Sequence, residues 1–164
     1  MAFSANALAT VQRGFAQAPA FTEQQLLVAT TEATMLLERE VKEAMPRGAT
    51  GLSAGSITSD VMSTPAGVLG VTGSTQPSVL FLELGTRPHM PPVEALIPWV
   101  RAVMGKRPEE ARSIAFLIAR KIKQRGTKPR RIFENTLKAQ ERQVERFFEA
   151  AADRIAAHLA GGAA

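Results

Sequence analysis

Two four-residue corners, Gly85-Thr86-Arg87-Pro88 and Gly126-Thr127-Lys128-Pro129, repeat one pattern of glycine, threonine, cation and proline and bracket the middle third of the chain. Each glycine suits the left-handed residue that closes a helix. Each proline holds the residue before it out of the α region, so the chain leaves the corner extended. Whatever precedes each corner therefore has to stop there. Ser78 to Leu84, ahead of the first, is too short an apolar run for periodicity to separate strand from helix; a helix ending at Gly85 is the favoured reading. The same stretch, continued to Arg101, carries the only tryptophan, Trp99. Gly85, Thr86, Pro88, Gly126 and Pro129 are accordingly candidate structural residues.

Around this centre the chain reads as follows. Residues 1–21 show no clear period, with a possible edge strand at Leu8 to Val11 and a stop at Pro19, and are expected to form an N-terminal arm. Thr22 and Gln25 fit a capping box, and Leu26, Ala29, Ala33, Leu36, Leu37 and Val41 recur at helical spacing as far as Ala44. Between Gly51 and Thr75 the residues turn small, β-branched and glycine-rich, which predicts strands at Leu52 to Met62 and Val68 to Thr72 joined through Ser63 to Gly67. The glycines at 67, 70 and 73 match no phosphate-loop or dinucleotide spacing.

Pro98 is expected in the first turn of a helix running to Met104, with Trp99, Val100 and Val103 facing inward, because a proline in mid-helix costs about 3 kcal/mol. Pro108 opens the next helix, apolar at Ala111, Ile114, Ala115, Ile118 and Ile122. Ile132 to Leu159 reads as a long amphipathic helix. Its expected inward residues are Phe133, Leu137, Val144, Phe148, Ala151, Ile155 and Leu159, and its expected outer pairs are Glu134–Lys138, Lys138–Glu141, Arg142–Glu145 and Arg146–Glu149. The class is α+β: a small antiparallel sheet packed against an N-terminal helix, with further helices including the long C-terminal one. A single domain is expected over 22–160, with a tail at 161–164. At 164 residues, 45% of them hydrophobic, such a domain buries roughly 70% of the surface its unfolded chain exposes.

The net charge of +5 is unevenly placed. Residues 101–131 hold eleven Lys or Arg against Glu109 and Glu110, whereas residues 1–100 hold five against eight and residues 132–164 four against five. A concentrated positive field of this kind suits phosphate or an acidic partner. Arg112, Arg120, Lys121, Lys123, Arg125, Lys128, Arg130 and Arg131 are the candidates for a continuous surface facing DNA or an acidic partner. The competing reading is a solvated helix face. The basic residues read as lacking interleaved aromatics, which disfavours stacking on single strands.

Chemistry is thinly represented. There is no cysteine, hence no disulfide or thiolate site, and a reducing compartment is the natural fit. The only histidines are His89, between Pro88 and Met90, and His158, on the last turn of the C-terminal helix, where a cation favours the helix dipole. His89 reads as a packed or solvated imidazole rather than a base and His158 as structural; the two have no ligand spacing, and no acidic cluster suggests a metal. No catalytic, cofactor-binding or metal residue is assigned, and the chain is read as non-enzymatic. No apolar run is long enough to span a bilayer, and the A-x-A pattern at Ala18 to Ala20 lacks the basic segment of a signal peptide.

The order of a helix, Pro46, Thr50-Gly51, Ser56-Ile57, strands and then Glu83-Leu84-Gly85-Thr86 resembles the tail-completion or neck (head-tail joining) proteins of long-tailed double-stranded-DNA phages, the group that includes minor tail protein Z of lambda. In that family a Pro-x-x-Thr-Gly-x-Leu-x-x-Ser-Ile signature opens the sheet and Glu-x-Gly-Thr precedes a proline-rich corner, which adds Glu83 to the corner residues. A later segment ends in a proline and a phenylalanine, here Pro129 and Phe133. The resemblance covers roughly residues 20–160. In this chain Pro46 and Thr50 are one residue further apart than the pattern, Leu52 directly follows Gly51, and only Phe81 stands near the usual aromatic. The resemblance implies a structural virion protein of the neck or tail, assembled in the host cytoplasm. It would form a homo-oligomeric ring, expected as a hexamer, against head-closure or connector proteins and tail-terminator or tail-tube proteins, with double-stranded DNA passing through the lumen and no membrane involved. Alternatives are a tail terminator or other structural tail protein, and a sequence-nonspecific DNA-binding protein.

Overall fold

The computed structural model describes residues 5–46 and 48–160, with side chains from Ala18 onward. Its elements are α1 (Ala5–Ala44), α2 (Leu52–Gly55), β1 (Thr58–Thr64), β2 (Gly67–Gly73), α3 (Pro77–Leu84), α4 (Val93–Met104), α5 (Pro108–Arg125) and α6 (Ile132–Leu159). The class is α+β, with a two-stranded antiparallel sheet packed on α1 and a long C-terminal helix. Residues 1–4 of the expected arm and the tail at 161–164 lie outside the described residues.

Several local expectations are corrected. The helix does not begin at Thr22, and Leu8 to Val11 is not a strand: α1 runs unbroken from Ala5 with Pro19 inside it. A proline removes one backbone donor and crowds one carbonyl, and the long apolar stripe that follows holds the helix regardless. Leu52 to Gly55 is a helical turn, closed by Gly55 N–H and Ser56 N–H donating to the carbonyls of Gly51 and Leu52 at 3.0 and 2.9 Å, so the first strand starts only at Thr58. Pro98 lies in the interior of α4, because the extra N-terminal turn brings Val93, Leu96 and Ile97 onto the apolar cluster of Val100, Ala111 and Ala115. Burying a large apolar side chain is worth about 1.5–3 kcal/mol, so three partly covered ones offset the missing bond. Pro108 does open α5, and Glu109 and Glu110 complement its N-terminus while Lys123 and Arg125 complement its C-terminus.

Contacts group the chain into two compact units. One comprises Met1–Glu38, Ser59–Thr72 and Ala139–Ala164. In it Ala29, Thr30, Ala33 and Thr34 form the buried stripe of α1. The hairpin meets that stripe through small and hydroxyl side chains: Ser59 Oγ donates to the Thr34 carbonyl at 3.1 Å and lies 2.9 Å from Thr72 Oγ1 across the strands. A Cβ at Gly70 would stand 2.6 Å from the methyls of both Thr30 and Thr34. The outer face of the hairpin carries Met62, Leu69 and Val71, all exposed. On α6, Ala151 is buried and His158 stacks on Phe21 with ring centroids 4.1 Å apart.

The other unit comprises Arg39–Thr58 and Gly73–Lys138. Its first cluster joins Val41, Met45, Ile57, Val79 and Ile132, with Leu82 and Phe133 against them; its second is the α4–α5 pair. The largest fully buried side chains of the described structure are only Ile57, Val41 and Val100. Much apolar surface is left outside: Phe81, Leu84, Phe116, Leu117 and Leu137 are each more than half exposed. Trp99, Val103, Leu137, Phe148 and Leu159, expected inward, are exposed too. Of the four ion pairs expected on α6, the described residues hold Glu134–Lys138 at 2.7 Å, and Arg146 instead donates to Gln143 at 3.3 Å.

Candidate functional site

The two corners meet. Thr86 N–H donates to the Thr127 carbonyl at 3.1 Å and Thr127 N–H donates to the Thr86 carbonyl at 3.2 Å, an isolated antiparallel bridge with the two hydroxyls 3.1 Å apart. The glycines beside the threonines make this approach possible. Gly85 (φ 71°, ψ −175°) and Gly126 (φ 66°, ψ −160°) have the positive φ expected, but not the left-handed helical ψ: both sit in the region open essentially to glycine alone. Their extended ψ sends the chain into the bridge where a helical ψ would curl it away. A Cβ at Gly85 would run into the Thr127 carbonyl, and one at Gly126 into the Thr86 carbonyl.

Glu83 completes the corner. Its carboxylate accepts from Phe133 N–H at 3.0 Å and Glu134 N–H at 3.3 Å, capping the N-terminus of α6 from a distant part of the chain. Helix N-termini leave such donors unpaired and favour negative charge. Arg130 and Arg131 N–H donate to the carbonyls of Leu82 and Glu83 at 2.8 and 3.2 Å, so the end of α3 and the start of α6 are tied side by side. Arg131 itself has φ 50°, and its side chain reaches Glu134 at 3.5 Å. The Lys138 ammonium, hydrogen-bonded to Glu134, holds that carboxyl below the usual range, with Arg131 adding to the effect. Pro88 and Pro129 are exposed, at the points where the chain leaves each corner. His89 N–H donates to the Ile122 carbonyl at 3.4 Å, and its Nδ1, 2.9 Å from the Arg87 carbonyl, is the protonated ring nitrogen.

Against the bridge lies a groove of about 870 Å³. Its apolar lining includes Phe81, Leu96, Trp99, Val103, Ile118 and Ile122, and Lys128 and Arg130 bring positive charge to it from the second corner. No carboxylate is among the described lining residues. Periodicity assigns Trp99 and Val103 to the interior; they form the wall of an open groove instead, 39% and 47% exposed.

All eight basic candidates are exposed, yet they do not form one continuous face. At 100° per residue, Arg112, Arg120 and Lys123 share one side of α5, while Lys121 and Arg125 lie on the opposite flank. Lys128, Arg130 and Arg131 belong to the corner. Arg112 is 3.9 Å from Glu94; Arg120, Lys121, Lys123, Arg125, Lys128 and Arg130 make no ion pair among the described residues. The expectation that no aromatic interleaves them is corrected: Phe116, half exposed, lies between Arg112 and Arg120 on the same side, a spacing of four residues each way that was open to reading in the sequence. Among the described residues no group of three or more His, Asp or Glu could hold a metal ion. No helix among the described residues is long and apolar enough to cross a membrane. Comparison with known protein families, with curated proteins and with solved structures finds no match.

Proposed function

We propose that this chain is a structural, non-enzymatic component of a long-tailed phage neck, a tail-completion or head-tail joining protein that acts as a ring subunit around the DNA channel. The observation that carries the reading is the corner. Several residues that bear the resemblance have identifiable structural work: Glu83 caps α6, Gly85 admits Thr127, Thr86 pairs with it, and Pro129 and Phe133 follow in the segment so joined. Upstream, Thr50 Oγ1 accepts from Leu52 N–H at 3.4 Å, Ser56 Oγ lies 2.7 Å from Ser74 Oγ, and Ile57 is fully buried. The exposed apolar residues of hairpin, groove and α5 suit a subunit that covers its surface by assembling. The basic residues of α5 suit a neighbour of DNA that holds phosphates without reading bases.

A second reading, sequence-nonspecific DNA binding by the free protein, is favoured by Phe116 between Arg112 and Arg120, an arrangement that can combine stacking with phosphate contact. The two separate in one experiment. A phage carrying a stop codon in this gene should accumulate DNA-filled heads and free tails, and purified protein added to that lysate should join them. Normal joined particles without the protein would overturn the neck reading.

A further inference from the structure

We infer that the groove beside the paired corners is one half of a head-to-tail contact between copies of this chain, and that the other half is the acidic stripe of α6 formed by Glu141, Glu145, Phe148 and Ala152. This deepens the ring proposed above and rests on that reading.

The groove has an apolar wall and a positive edge, and nothing negative among its described lining residues. Its occupant should therefore offer an apolar anchor flanked by carboxylates. At about 870 Å³ it has room for large side chains. Trp99, of a residue type enriched among interface hot spots, stands in its wall only partly covered. Within the chain itself, α6 presents the complement. Glu141, Glu145, Phe148 and Ala152 follow one another at steps of four, three and four residues and so fall along one helix face, and all four are exposed. Phe148 is 38% exposed although aromatic; the two cations within residues 141–152, Arg142 and Arg146, lie more than 100° from it round the helix, and Lys138, one turn before Glu141, is held by Glu134 at 2.7 Å. A helix laid in a groove by one aromatic anchor, with carboxylates reaching cations at the edge, is a recurrent recognition mode. Here Phe148 would enter beside Trp99 and Val103, Glu141 and Glu145 would face Lys128 and Arg130, and the small Ala152 would allow close approach. Donor and acceptor are different surfaces, so each copy can receive one neighbour and serve another, the heterologous arrangement that gives a ring where the rotation between copies closes.

The chain offers two built-in reporters: one tryptophan, in the groove, and no cysteine. Sedimentation and Trp99 emission, followed together as concentration rises, should show association accompanied by a blue shift as the indole leaves water. Lys128→Glu with Arg130→Glu should weaken association about tenfold or more, and so should Glu141→Lys with Glu145→Lys, since like charges then meet. Mixing the two variants should recover it, because the acidic stripe of the first fits the basic groove of the second and the basic stripe of the second fits the acidic groove of the first. Circular dichroism establishes that both variants fold. In the cysteine-free background, Val103→Cys with Phe148→Cys should give a concentration-dependent ladder of disulfide-linked oligomers under oxidation. A wild-type chain that stays monomeric over this range, a mixture that recovers nothing, or a cross-link confined within single chains would each overturn the contact. The neck reading fails separately: a chain monomeric by these tests that still joins heads to tails removes the interface and leaves the proposed function in place.

Discussion

A glycine carries strain only where its neighbours leave no alternative, and Gly85 is such a place twice over. Its φ of 71° with ψ near 180° belongs to the region other residues avoid at a cost of about 1–3 kcal/mol, and any Cβ would meet the Thr127 carbonyl. The side chain of Arg87, two residues on, is exposed and makes no ion pair among the described residues; only its carbonyl is used, by His89. Gly85→Val should therefore lower stability by at least about 2 kcal/mol, whereas Arg87→Ala should stay within about 0.5 kcal/mol of wild type. Urea unfolding of the two variants checks this, and equal midpoints would mean that the corner bridge contributes nothing. The pairing also explains why both corners carry the same four-residue pattern: each threonine donates its backbone N–H to the other and accepts in return, so each needs the same freedom beside it.

Between elements, the tightest constraint is the seating of the hairpin on α1. Gly70 faces Thr30 and Thr34, whose β-branched side chains are stiff at χ1, that of Thr34 fixed further by its Oγ1 donating to the Thr30 carbonyl at 3.0 Å, so their methyls have little room to give. Gly70→Ala should cost more than about 1 kcal/mol in a thermal or urea melt, while Gly73→Ala, with nothing within 4 Å of the added carbon, should be close to neutral. Indistinguishable melts would show that the sheet does not rest on this stripe. The same contrast between local and non-local causes decides what the sequence discloses. The helix stops at Gly85 and Gly126 and the start at Pro108 were legible because glycine and proline act on their own backbone. Ala29, Ala33 and Val41 were legible from the period of α1, but Thr30 and Thr34, buried beside them, were not, because their hydroxyls hide them from an apolar pattern. Pro19 and Pro98 misled, because a proline is a strong local signal that adjacent apolar packing can override. Leu52 to Gly55 misled because small residues fit a turn as readily as a strand. The meeting of the corners lay beyond local reading, since it is made only when α4 and α5 fold back between them. The groove was hidden for a related reason: periodicity marks Trp99 and Val103 as apolar but not whether anything covers them.

At the scale of the whole molecule the unbalanced charge is the feature left to account for, and it can be tested apart from the groove. Arg120, Lys121, Lys123 and Arg125 are exposed, make no ion pair among the described residues and lie outside the groove lining, so replacing all four by Gln takes the net charge from +5 to 5 − 4 = +1 without touching Lys128 or Arg130. Exposed charges seldom contribute as much as about 1 kcal/mol each, and these have no ion-pair partner to lose among the described residues; the unfolding midpoint should hardly move. Self-association through the groove should persist as well. What should change is the interaction with DNA. Each phosphate left without its cation lowers the steepness of log affinity against log salt by roughly 0.9, so removing four cations should flatten that dependence by up to roughly 3.6 if all four meet phosphates, and by about half of that if only one flank of α5 does. Filter binding of random duplex DNA across a salt series reads this directly. A flattening near the lower figure would assign the DNA side to Arg120 and Lys123, which share their flank with Phe116, or to Lys121 and Arg125, and the two pairs replaced separately would tell which. An unchanged slope would show that the positive segment does not meet DNA, and would leave an acidic neighbour as the partner this charge is suited to.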